Sequence, residues 1–131
     1  MATKTYDPKN VSIIVNGVHI TGLGEGMVEI SKDEDNYETK VGAQGDTIRV
    51  KINNKLGTVK ITIQQTSPQL SFLEKLANTG EMVPISVISS NDPKEVSSAT
   101  EAYVKKNPDR KYGKDAEDRE YELQALDLKM E

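Results

Sequence analysis

Gly57-Thr-Val-Lys-Ile-Thr-Ile-Gln-Gln-Thr-Ser-Pro68, followed at once by Gln69-Leu-Ser-Phe-Leu-Glu-Lys-Leu-Ala77, reads as a strand, a sharp turn and a short amphipathic helix. Val59, Ile61 and Ile63 share one face while Lys60, Thr62 and Gln64 take the other, the period-2 alternation of a half-buried strand. Ser67 can accept a hydrogen bond from an orphan helix N–H, and Pro68 at the first helical position has no N–H to strand. Leu70, Leu73, Leu76 and Ala77 recur at helical spacing, and Gly80 closes the segment. Val59, Ile61, Ile63, Leu70, Leu73 and Leu76 are therefore the expected core. The stretch carries no catalytic group.

Working upstream, Thr47–Ile52 alternates again, with Ile48, Val50 and Ile52 expected inward and Arg49 and Lys51 outward. Asn53-Asn-Lys-Leu-Gly57 supplies turn residues, so residues 47–65 are expected to form one long hairpin. Val11–Val15, Asn16-Gly17 and Val18–Thr21 make a second hairpin, since Asn-Gly is the preferred type I′ turn. Gly22-Leu-Gly-Glu-Gly26 only superficially resembles a phosphate loop. It lacks Lys-Ser/Thr and an opening helix, and a Glu stands where an anion would sit, so it reads as a flexible bend. Met27–Ser31 is a strand with Val28 and Ile30 on one face.

Downstream, Met82–Ser89 is a strand carrying Val83, Ile85 and Val87, and Pro84 belongs on an edge or near the strand start. Residues 32–46 and 91–117 are polar and turn-rich and read as long loops; within the second, Val96–Lys105 permits a strand or a loose helix. Arg119–Met130 alternates through Tyr121, Leu123 and Ala125, then slips phase to Leu126, Leu128 and Met130, as a β-bulge would leave it. The expected architecture is one domain over 1–131, a small antiparallel β-sandwich or barrel with one short helix.

The 131 residues are one domain's worth of chain, yet only 35% are apolar, against about 45–50% for globular domains. Mean hydropathy is −0.60. Either part of the chain is disordered or neighbouring subunits order segments that are polar alone. Cysteine is absent, which removes disulfides, thiol chemistry and cysteine metal sites. No apolar run approaches a membrane span, and the N-terminal residues lack a signal core; a soluble product made in a cytoplasm is expected. A net charge of −4 argues against nucleic-acid binding, which needs a basic surface.

No constellation of residues suggests catalysis, and no enzyme, cofactor or metal is expected. His19 is the sole histidine and has no nucleophile beside it in the sequence; a strand residue at a subunit or solvent face is expected. Asp33, Glu34, Asp35 and Glu38 lack the glycine and the terminal glutamate of a calcium loop and read as a solvated loop. With Tyr37 they are candidates for contacts between subunits, the carboxylates meeting lysines such as Lys51 or Lys60 of another copy. The tyrosines do not cluster at a stacking spacing.

Gly22-Leu-Gly-Glu-Gly-Met-Val-Glu-Ile30, Val41-Gly-Ala-Gln-Gly-Asp-Thr-Ile-Arg-Val50 and Leu56-Gly-Thr-Val-Lys-Ile-Thr-Ile-Gln-Gln-Thr-Ser-Pro68 resemble the consensus of a bacteriophage tail tube family. So do Lys106-Asn-Pro-Asp-Arg-Lys-Tyr-Gly113 and the closing Arg119-Glu-Tyr-Glu122. The order of the motifs carries the resemblance, since none is catalytic. Leu23 departs from it, where the family usually has a bulky aromatic.

The resemblance implies a structural virion protein whose hexameric rings stack into a tail tube, with DNA passing through the lumen unbound during ejection. Its partners would be other copies of itself, the tape measure, tail terminator and baseplate hub proteins, and a sheath in a contractile tail, with no membrane. Ring closure would cover the edges of an all-β chain. The polar face carrying Arg49, Lys51 and Lys60 against Glu29 is mixed in sign, compatible with lining a channel or facing a sheath. The tube of a phage-derived contractile bacteriocin or injection machine is an alternative. An acidic β-sandwich module binding carbohydrate or calcium is a second, and predicts a monomer with an exposed aromatic platform.

Overall fold

A computed structural model describes residues 3–131. It contains strands β1 (Val11–Val15), β2 (Val18–His19), β3 (Leu23–Lys32), β4 (Tyr37–Val41), β5 (Thr47–Lys51) and β6 (Gly57–Ile63). Helix α1 (Leu70–Thr79) follows, then β7 (Val83–Ser89), β8 (Glu95–Val104), β9 (Arg119–Ala125) and β10 (Lys129–Met130). The main sheet runs β2-β1-β7-β8-β9-β6-β3, with β10 also paired to β8, while β4 and β5 form a separate two-stranded sheet. Every pairing is antiparallel.

The two ends of the main sheet are close in the chain. Only Ile20, Thr21 and Gly22 lie between β2 at one end and β3 at the other. Such a connection reaches at most about 14 Å, whereas seven strands laid flat would span about 29 Å. The sheet must therefore curl until its ends approach, which makes it a nearly closed barrel. The short link is stitched to the turn before α1. Ser67 Oγ donates to the Thr21 carbonyl at 2.6 Å, and Thr21 N donates to Gln69 Oε1 at 2.8 Å.

Inside the curl, one cluster joins Ile13 and Val15 of β1, Ile85 of β7, Tyr121 and Leu123 of β9, and Val59, Ile61 and Ile63 of β6. Leu73 and Leu76 of α1 are buried in the same cluster, with Leu70 packed against it. These expected core residues are found together. The helix starts at Leu70, after Pro68; Ser67 Oγ accepts only from Gln69 N, at 3.3 Å. Its C-terminus is as expected, with Gly80 left-handed at φ 68° and its N–H bonded to the Leu76 carbonyl. The Asn16-Gly17 turn likewise has both residues at positive φ, as a type I′ turn requires.

Several sequence expectations are corrected. β5 pairs with β4, and β6 lies between β3 and β9, so residues 47–65 are not one hairpin. Ile48 is 64% exposed, and Val50 and Ile52 are only half-buried. An alternating pattern reports a two-faced strand but does not name its partner. Residues 32–46 are accordingly not a loop throughout, because Tyr37-Glu-Thr-Lys-Val41 is a strand with Gly42–Asp46 as its turn.

Residues 91–117 are likewise not all loop. β8 runs through Glu95–Val104, its buried positions Ala99, Ala102 and Val104 out of a single phase. The reason is a bulge: Val83 pairs with Ala102 and Ile85 with Ala99, so three intervals of β8 face two of β7. Pro84, second residue of β7, sits at this slip, where its missing N–H does no harm. The extra β8 amides, Thr100 N and Glu101 N, donate to Asp127 Oδ1 at 3.0 and 3.2 Å. Asp127 lies in the break between β9 and β10. The phase slip after Ala125 is thus a strand break bridged by a carboxylate.

Gly22–Gly26 is not a free bend either. Gly24–Gly26 lie within β3, whose pairing with β6 slips between Leu23 and Val28, with Met27 at φ 47°. Gly24 sits in close approach: a Cβ there would meet the Asp118 carboxylate and lie 2.9 Å from Thr62 Cγ2, so both side chains would have to shift.

Candidate assembly surfaces

The β4–β5 hairpin begins as sequence chemistry: two short alternating runs, neither apolar enough to enter a core. Cross-strand pairs Tyr37↔Lys51, Thr39↔Arg49 and Val41↔Thr47 make one face, and Glu38↔Val50 and Lys40↔Ile48 the other. Arg49 lies over the Tyr37 ring, 4.4 Å from its centroid. Tyr37, Val41 and Ile48 are exposed, so both faces offer apolar surface that nothing in this chain covers among the described residues.

The hairpin's base is fixed. Asp33 N donates to the Leu56 carbonyl at 3.1 Å and Ile52 N to the Asn36 carbonyl at 2.9 Å. Gln124 Nε2 and Thr58 Oγ1 donate to the Asp33 carboxylate at 2.9 and 2.8 Å. Those two bonds, Gln124 first, hold the Asp33 carboxyl below its ordinary value. All five candidate contact residues are exposed, but the Asp33 carboxylate is already engaged as a brace within the chain, which leaves Glu34, Asp35, Tyr37 and Glu38. The expected partner Lys51 stands opposite Tyr37 on the same hairpin, and Lys60 pairs with Glu29 on the barrel.

A second surface is made of backbone. β2 and β3 terminate the main sheet, so the outer edge of each carries unpaired peptide groups among the described residues. β3 is ten residues long. His19 is exposed in β2, at a solvent-facing position as expected.

A third surface lies beside α1. Glu74 Oε1 accepts from Tyr121 Oη at 2.6 Å, and Oε2 from Asn107 Nδ2 at 2.6 Å and Arg110 at 3.2 Å. Burial alone would raise the Glu74 carboxyl, but these hydrogen bonds outweigh it and hold the group below its ordinary value. Burial first, then the bond to Glu74, pushes the Tyr121 phenol well up. Arg119 is buried, donates to Tyr112 Oη at 3.2 Å, and has an Nε with no partner. Sequence reasoning missed this network. Glu74 meets its partners 33 to 47 positions away, a separation that no local pattern records.

Among the described residues, no group of His, Asp or Glu is placed to hold a metal. No helix there is long and apolar enough to cross a membrane.

The family model described as "Bacteriophage PhiTE tail tube protein" matches residues 1–130. No curated protein matches the sequence. Among solved structures, the fold is similar to a chain of "an Extracellular Contractile Injection System, PVC sheath-tube complex in extended state", with TM-score 0.68 and 15% identity over 97% of this chain and 91% of that one. It is also similar to a chain of the PVC "sheath/tube terminator in extended state", with TM-score 0.67 and 14% identity over 100% and 99%. A third likeness is to "the anti-feeding prophage cap (AFP tube terminating cap)", with TM-score 0.70 and 8% identity over 100% and 93%. At such identities these likenesses show a shared fold.

Proposed function

The chain belongs to the bacteriophage PhiTE tail tube protein family, and from that premise we propose that six copies close into a ring and that rings stack into the tube through which DNA leaves a virion. The observation that carries this reading is the pair of free sheet ends. A nearly closed barrel that ends on an open ten-residue strand presents a template for strand addition, and a ring of copies satisfies it without leaving an edge. The exposed β4–β5 hairpin supplies a contact outside the ring plane, suited to the next ring.

The role is structural, not enzymatic. Six copies at −4 each carry −24, and any share of that on the lumen wall repels phosphate at short range. A wall that DNA does not bind lets it pass. Assembly would take place in the host cytoplasm, with the tape measure, hub, terminator and, in a contractile tail, sheath proteins as further partners.

A second reading has a specific observation behind it. Two of the structural neighbours are a sheath/tube terminator and a tube-terminating cap, so the same fold also serves at a tube's end. A phage-derived injection machine, in which no DNA travels, has the same requirements. Negative-stain microscopy and sedimentation of the purified chain decide between a tube subunit and a terminator. Rings that stack into hollow tubes support the tube subunit; single rings that never stack support a terminator; a monomer at high concentration overturns both.

A further inference from the structure

Arg119 occupies a position at which this strand should carry an apolar side chain. Along β9 the buried positions are Arg119, Tyr121, Leu123 and Ala125, one face of one strand. A guanidinium taken from water needs a counter-charge and filled donors. Arg119 lacks the first and part of the second: among the described residues it is in no ion pair, its side chain donates to the neutral phenol of Tyr112, whose ring centroid lies 5.5 Å from the guanidinium carbon, and its buried Nε is unpartnered.

Arg119 lines a pocket of about 480 Å³ against α1, together with Arg110, Lys75 and Glu74. Glu74 accepts from Tyr121, Asn107 and Arg110 and makes no ion pair with Arg119. The pocket thus holds three cationic side chains and one carboxylate already in use. Its missing component is a second carboxylate.

We infer that this pocket receives a carboxylate side chain from a second copy of the chain, supplied by the exposed acidic turn Glu34-Asp35. The inference rests on the tube reading above and names the contact between stacked rings. Its second support is position. Arg119 pairs with Ile63 at one end of β6, and Asp33 is braced against Thr58 at the other. Ile63 and Thr58 lie five residue steps apart on β6, which separates pocket and turn by about 17 Å, so they cannot meet within one molecule. Between molecules they meet head to tail, and a head-to-tail contact propagates along an axis.

Two arms test it on the full chain. In the first, a peptide of residues 31–37 is titrated into the protein and followed by NMR, with Arg119→Met and Lys75→Glu as variants and inorganic phosphate as competitor. Saturable shifts around α1, weakened about tenfold or more by each variant, are expected for a lost charge-assisted hydrogen bond. No shifts at α1, equal binding by the variants, or displacement by millimolar phosphate would overturn the assignment. In the second arm, electron microscopy compares wild type, Lys75→Glu, and Glu34→Gln combined with Asp35→Gln. Rings without tubes are expected for both variants, one changing the pocket and the other the turn; normal tubes from either overturn the proposal. If the wild type forms no rings, the tube reading fails and the peptide arm alone decides the pocket.

Discussion

Tyr121, in the middle of the barrel core, donates its phenolic hydrogen to Glu74 on α1 at 2.6 Å. The bond ties α1 to the sheet at a point where neither residue has access to much water. Tyr121→Phe leaves a largely buried carboxylate oxygen without a partner and should cost about 1.5–3 kcal/mol. Urea unfolding with an unchanged slope and a lower midpoint is the expected result, and an unchanged midpoint refutes the brace.

The same pair sets a pH dependence. Glu74 titrates lower in the fold than its ordinary 4.5, so its contribution is complete above that pH and is lost as pH falls through the lower folded value. Tyr121 titrates higher than its ordinary 10.0, so its contribution is complete below that pH and is lost as pH rises through the folded value. Thermal melts of wild type and Tyr121→Phe between pH 3 and 11 should therefore diverge most in the neutral range, with the gap narrowing as pH falls below 4.5 and as it rises above 10.0. A constant gap across the range refutes the linkage.

Leu73 has no exposed surface and Ile48 is 64% exposed, although the sequence assigns both to the core. Leu73→Ala should cost about 2–5 kcal/mol, and Ile48→Ser should stay within about 0.5 kcal/mol of wild type in the unassembled chain. Chemical denaturation of the two variants side by side checks this; comparable losses would return β5 to the barrel.

That contrast marks how far the sequence is legible. Alternation placed β6, β7 and β9, and the spacing of Leu70, Leu73 and Leu76 placed α1, because each is a local record of one buried face. Which strand lies beside which is not local: Ile48-Arg-Val-Lys-Ile52 reads the same whether it pairs with β6 or folds back on Tyr37–Val41. β8 was obscured because its bulge opposite Pro84 breaks the phase. Of the candidate contact surfaces, the acidic turn and Tyr37 stood out by composition. Arg119 did not, since a charged residue opening a strand is ordinary until its burial is known.

Gly57 opens β6 beneath Leu128, and a Cβ there would lie 3.0 Å from Leu128 Cβ and 3.1 Å from its Cγ. Leu128 is itself buried and lies in the break bridged by Asp127, so it has little room to retreat. Gly57→Ala should cost about 1–3 kcal/mol by overpacking, and Gly57→Ala with Leu128→Ala should recover part of that loss. A double-mutant cycle with zero coupling would show that the two sites do not touch.

The hairpin allows the cleanest separation of fold from assembly. Its base closes through Asp33 N to the Leu56 carbonyl and Ile52 N to the Asn36 carbonyl, and β4 pairs only with β5. Replacing residues 37–51 with a short Gly-Ser turn therefore removes no strand of the barrel and keeps the Asp33 brace to Thr58 and Gln124. Far-ultraviolet circular dichroism and the melting temperature should stay close to wild type. Rings should still form, because β2 and β3 are untouched, while tubes should not lengthen, because Tyr37, Val41 and Ile48 no longer have a neighbouring ring to bury against. Keeping the hairpin but changing Val41 and Ile48 to Ser should give an intermediate effect, with tubes that are shorter and dissolve on dilution. Tubes of normal length from the excised chain would show that the hairpin is decoration and that ring stacking is carried elsewhere, by the pocket beside α1 or by residues 105–117.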